Sequence, residues 1–132
     1  MWTSEIQSRV FSRVKNKGTK ALKASYPNIY FTTSDKVQTN PKFPTIYLHE
    51  VGSVEQGQDL DNTSINAVLF TIQIDVTDNE SQNRVNEVMG EIVSIMKSMR
   101  FSVVTMPEFQ NTDSIYRSTA RFRRMIGSGD NL

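Results

Sequence analysis

Carboxylates and arginines are the groups most able to do chemistry in this chain of 132 residues, which has fourteen Asp and Glu, one histidine and no cysteine. The acids gather in two stretches: Glu55, Asp59 and Asp61, then Asp75, Asp78 and Glu80. Oxygen ligands at such spacing can hold a hard cation such as calcium. The EF-hand pattern fails, because neither its loop glycine nor its closing glutamate stands at the required position. The acids therefore read as a solvated loop followed by charges near the positive end of a helix. His49 stands between Leu48 and Glu50. A general base needs a partner and a cleft, and the neighbouring sequence offers neither. The expected place for His49 is a polar or subunit-facing strand surface. One histidine and no cysteine argue against zinc sites, Ser–His triads, thiol nucleophiles and disulfide scaffolds. The nucleophile elbow and the phosphate-binding loop are absent as motifs.

The arginines are more ordered. Arg117, Arg121 and Arg123 fall on one face of a strand pattern, with Arg124 turned over at its end. This row could meet phosphates or an acidic protein surface. Tyr116 and Phe122 alternate with the row but on the opposite face, and the aromatic signature of an RNA-binding sheet is missing. The plainer reading is a solvated edge strand, where charge discourages unwanted pairing. Arg117, Arg121 and Arg123 are the candidate interaction surface. No catalytic, cofactor-binding or metal-ligating residue is expected.

These groups need a scaffold, and periodicity supplies one. Residues 3–24 carry Ile6, Val10 and Val14 at four-residue spacing, which predicts an amphipathic helix with Thr3 or Ser4 as its cap. Gly18 weakens its middle, by about 1 kcal/mol against alanine, so a break is expected there. The helical lysines and arginines are spread over several faces. That favours a helix docked on a sheet with a solvated basic side over one that binds membrane or nucleic acid. Asn28–Thr32 is a short strand candidate, residues 34–44 a loop with two prolines, Thr45–Val51 a second strand, and residues 52–62 a polar hairpin loop.

The strongest signal is the period-two alternation of Val68, Phe70, Ile72, Ile74 and Val76 against polar neighbours, the mark of a half-buried strand. A second helix over 80–99 presents Val85, Val88, Met89, Ile92 and Met96 as one stripe, capped by Asp78, Asn79 or Ser81. Met89, Met96, Met99 and Met106 are taken as core. Strands follow at 101–105, ended by Pro107, and at 115–126, with a frayed tail over 127–132. The expected fold is one α+β domain: an antiparallel sheet of four to five strands with two helices on one face. No apolar run reaches the roughly 18–20 residues that span a bilayer. The polar start lacks a signal-peptide layout, so an unexported chain without membrane contact is expected.

The run Phe43–Val51, a polar acidic loop, and then Ile65–Thr77 resembles the tail terminator, or tail completion, proteins of long-tailed bacteriophages. The helix Ser81–Met99 leading into Arg100-Phe101, and the closing Asp113–Phe122, extend the similarity over roughly residues 5–126. It is carried by element order, element length and texture rather than by an invariant motif. The resemblance implies an α+β subunit that assembles into a ring, usually six-fold. Such a ring caps the finished tail tube and joins it to the head completion or connector protein, and genomic DNA passes through it without specific recognition. It implies a virion tail protein present in host cytoplasm during assembly, with no enzymatic activity and no cofactor.

A head-to-tail ring needs two complementary patches on each subunit. Residues 1–42, 43–113 and 114–132 carry net +6, −8 and +3, within a total of +1, and could supply opposed charge. Loops 34–44 and 52–62 are the candidates for contact with tube or head. The alternatives are a neighbouring head–tail neck or stopper protein, or a small cytoplasmic nucleic-acid-binding α+β module using Arg117, Arg121 and Arg123.

Overall fold

The structure is a computed structural model that describes residues 5–34, 42–56, 67–109, 111–112, 114–127 and 130, without the side chains of 53–56. The elements run α1 (Ile6–Leu22), β1 (Tyr30–Thr32), β2 (Thr45–Gln56), β3 (Ala67–Asp78), α2 (Gln82–Ser98), β4 (Ser102–Phe109) and β5 (Tyr116–Gly127). The strands form one sheet in the order β1-β2-β3-β5-β4. All neighbours are antiparallel except β1 and β2, which pair parallel, so the sheet is mixed. The α+β architecture matches the expectation, with the parallel edge pair as a refinement. None of the described helices is long and apolar enough to cross a membrane.

Alternation dictates the layering. Along β3 every even residue from Val68 to Asp78 is buried and every odd one is half-buried. The even face meets the helices. Val10 and Val14 of α1, Val88, Ile92 and Met96 of α2, and Phe70, Ile72, Ile74 and Phe122 of the sheet are all fully buried or nearly so. Both helices lie on this face, α1 contacting β2 and α2 contacting β3, β5 and β4.

Helix α1 runs unbroken through Gly18, against the expected break. The reason is close packing. A Cβ built at Gly18 would lie 2.5 Å from Phe31 Cζ and 2.9 Å from its Cε1. The missing side chain lets β1 tuck its one core aromatic under the helix. Gly18→Ala therefore sets about 1 kcal/mol of gained helix propensity against the ~1–3 kcal/mol typical of overpacking. Phe31 is buried within the core cluster, so moving its ring disturbs packed neighbours and overpacking wins. A net loss of about 1 kcal/mol is expected, read as a Tm lower by roughly 3–5 °C in a thermal melt.

Several other expectations move. Residues 52–56 continue β2 rather than open a loop. Pro107 does not end its strand: β4 runs on to Phe109, which an edge strand tolerates where bulges fall between Val103 and Thr105 and between Thr105 and Glu108. Met89, Met96 and Met99 are core, but Met106 is 69% exposed. The α2 cap is Ser81, whose hydroxyl accepts from the Arg84 N–H. The helix closes with Arg100 at φ 68, the Arg100 and Phe101 N–H groups returning to the carbonyls of Lys97 and Met96. Thr3, Ser4 and most of the two expected contact loops lie outside the described residues.

Candidate functional site

The side of the sheet away from the helices holds the candidate surface. Register places Tyr47 of β2, Asp75 of β3 and Thr119 of β5 in one row, and His49, Gln73, Arg121 and Thr105 of β4 in the next. A polar chain crosses these rows. Arg121 Nε donates to Gln73 Oε1 at 3.0 Å, Gln73 Nε2 to Asp75 Oδ1 at 3.3 Å, and Thr119 Oγ1 to the same oxygen at 2.6 Å. The His49 and Tyr47 rings stack at 4.4 Å. His49 Nδ1 is buried and has no hydrogen-bond partner among the described residues. No carboxylate orients it there, as a general base would need.

The structure brings Arg117, Arg121 and Arg123 together on this open face, and all three are exposed. Arg124 turns to the helix side as expected and is buried. Burial pulls its guanidinium below the ordinary arginine range, while Asp130 opposes that shift. One expectation is corrected: β5 is not an edge strand, since it lies between β3 and β4. Its charges therefore do not serve to block edge pairing.

The edges are β1 and β4. Along β4 three large apolar side chains stand in the open: Val104 at 45%, Met106 at 69% and Phe109 at 59% exposure. Met125 on β5 joins them as an exposed apolar residue. This strip is not legible in the sequence. Its signal, Val-Val-Thr-Met before a proline, does not alternate, because the two bulges disturb the face pattern.

Among the described residues the acids do not form a cation site. Asp75 and Asp78 fall on opposite faces of β3. Asp78 is fully buried, and its Oδ2 accepts from the N–H groups of Glu80 and Ser81. Arg84 Nε lies 3.1 Å from the same oxygen, and Arg84 also pairs with Glu80. Among the described residues no group of three or more His, Asp or Glu is placed to hold a metal ion. Glu55 is described in backbone only, and Asp59 and Asp61 lie outside the described residues.

An open cleft of roughly 530 Å³ beside this turn is lined by Tyr26, Lys42, Glu80 and Arg84, among others. Within it Arg84 pairs with Glu80. The Arg84 guanidinium sits 5.1 Å above the Tyr26 ring, and the Tyr26 hydroxyl donates to Glu87. Burial, then the Glu87 hydrogen bond, push Tyr26 up from its ordinary value near 10 to about 12. The raised value fixes the sign. The stabilisation is complete below the unfolded pKa and is lost as pH rises from about 10 through 12. Tyr26→Phe is expected to flatten the fall of Tm over that window, measured by thermal melts at stepped pH.

Fold and surface together define a two-layer α+β protein with one uncovered, polar sheet face and an apolar edge. No protein-family model matches the sequence, and no curated protein matches it.

Proposed function

We propose that this chain is a ring-forming structural subunit of a long-tailed phage, a tail terminator that caps the tail tube and joins it to the head connector. The observation that carries the reading is the β4 edge. The apolar strip of Val104, Met106 and Phe109, exposed along β4, is an aggregation hazard in a free monomer. Covering it with the next subunit removes the hazard and builds the assembly in one step. The uncovered sheet face, with its cross-strand polar chain, supports the same reading, because a subunit with neighbours on two sides needs patterned surface beyond its core. The texture shared with tail terminators over residues 5–126 names the kind of ring. On this reading the protein works by surface complementarity, in the virion tail, and carries no catalytic group.

Negative-stain imaging of the purified protein, alone and mixed with tail tubes, tests the proposal. Closed rings or capped tube ends are expected. Monomers beside bare tube ends at every concentration would sink it. The alternative, a nucleic-acid module working through Arg117, Arg121 and Arg123, fits the surface less well. Arg121 is engaged by Gln73, and the aromatics that alternate with the row, Tyr116 and Phe122, face the core side.

A further inference from the structure

Four of the six basic residues between Ile6 and Lys23 share one face of α1, while Lys15 is exposed on another and Lys17 donates to Ser98 Oγ. Arg9, Arg13, Lys20 and Lys23 recur at intervals of four, seven and three residues and are all exposed, with exposed Asn16 between them. At 3.6 residues per turn these positions form one stripe about 21 Å long. From Ile6 to Lys23 the chain holds six lysines and arginines and no acid. Arg9 with Arg13, and Lys20 with Lys23, are like charges at helical-neighbour spacing, which opposes helix formation. Among the described residues none of these four is ion-paired. Arg9 donates to the Asp130 backbone carbonyl. Beside the stripe runs a shallow trough of about 430 Å³ lined by Ser8, Arg9, Ser12, Arg13 and Asn16, with Glu5 at one end.

We infer that this face of α1 docks the phosphate backbone of duplex DNA. The stripe offers cations in a line, and the trough adds hydroxyl and amide groups able to hydrogen-bond phosphate oxygens. A membrane surface would need an apolar face to insert, and the apolar face of α1 is buried against the sheet. A protein partner would be expected to find aromatic or aliphatic anchors at its centre, and the stripe has none. Nothing in the stripe reads base edges, so recognition is independent of sequence. The inference does not rest on ring assembly, because a single helix face carries it.

Fluorescence anisotropy of a labelled 30-base-pair duplex with the full chain tests it. Four phosphate contacts predict binding that weakens about a hundredfold between 50 and 200 mM salt. Arg13→Glu with Lys20→Glu is expected to weaken binding at 50 mM salt at least tenfold and to flatten the salt dependence. Arg121→Glu with Arg123→Glu, on the other side of the molecule, should leave affinity within twofold. Circular dichroism and melting show whether each variant keeps the fold. No binding at 50 mM salt, loss only in the Arg121 and Arg123 variant, or tighter binding to labelled polyglutamate than to the duplex would each overturn the inference. The last result would assign the stripe to an acidic protein.

Discussion

Asp78→Ala is expected to lower the unfolding free energy by about 3 kcal/mol, the low end of what breaking a buried ion pair costs. The low end applies because the Arg84 side chain is 30% exposed and can be partly rehydrated, whereas Asp78 has no exposure at all. One oxygen of Asp78 gathers three cationic or N–H groups at the point where β3 turns into α2. Through Arg84 the same carboxylate reaches the Tyr26 ring, and through Tyr26 it reaches Glu87 of α2. Removing it loosens the end of β3, the start of α2 and the turn after α1 together. Asp78→Asn keeps an acceptor for the two backbone N–H groups and loses only the ion pair, so about half the effect is expected. Arg84→Ala strips the buried carboxylate of its cation and should be as damaging as Asp78→Ala. Urea unfolding of the singles and the double closes a cycle. The double is expected to fall short of the sum by about 1–2 kcal/mol, as coupled residues do. Strict additivity would show that the pair does not hold the junction.

That junction was invisible in the sequence, and the reason is physical. Asp78 comes from β3, Arg84 and Glu87 from α2, and Tyr26 from the turn after α1, and no local spacing announces a contact across 61 residues. What period and pattern encode locally was legible. The alternation of β3 appears residue for residue in its burial, and the apolar stripes of both helices are buried against the sheet as expected. The arginine row sits on one face because a strand's period is two and no bulge interrupts β5 against β3. Failures occur where tertiary contact overrides local preference. Gly18 looked like a helix breaker and is a packing site for Phe31. Pro107 looked like a strand end and is tolerated beside bulges on an edge. The parallel pairing of β1 with β2 is a long-range contact that no hydrophobic period records.

If the chain assembles into rings as proposed, Met106→Glu combined with Phe109→Glu is expected to abolish that assembly while leaving the monomer as stable as the parent. Both side chains are more than half exposed, so the monomer loses little packing when they change. In an interface the balance reverses. Fully burying such a side chain is worth about 1.5–3 kcal/mol, and Val104, Met106 and Phe109 together stand to gain roughly 3 kcal/mol or more per contact. That alone is about a hundredfold in affinity. Burying two carboxylates there without partners adds a desolvation penalty on top.

Sedimentation or light scattering across a concentration series, with imaging on tail tubes, reads the outcome. Equal assembly by the variant would remove β4 from the interface. The local backbone explains why side-chain charge should suffice. Pro107 lacks an N–H, and the bulges after Val103 and Thr105 break the regular row of donors and acceptors that an added strand would need. A neighbour cannot extend the sheet by a continuous ladder along β4. It must meet this edge through its side chains, and those are the groups the two substitutions change.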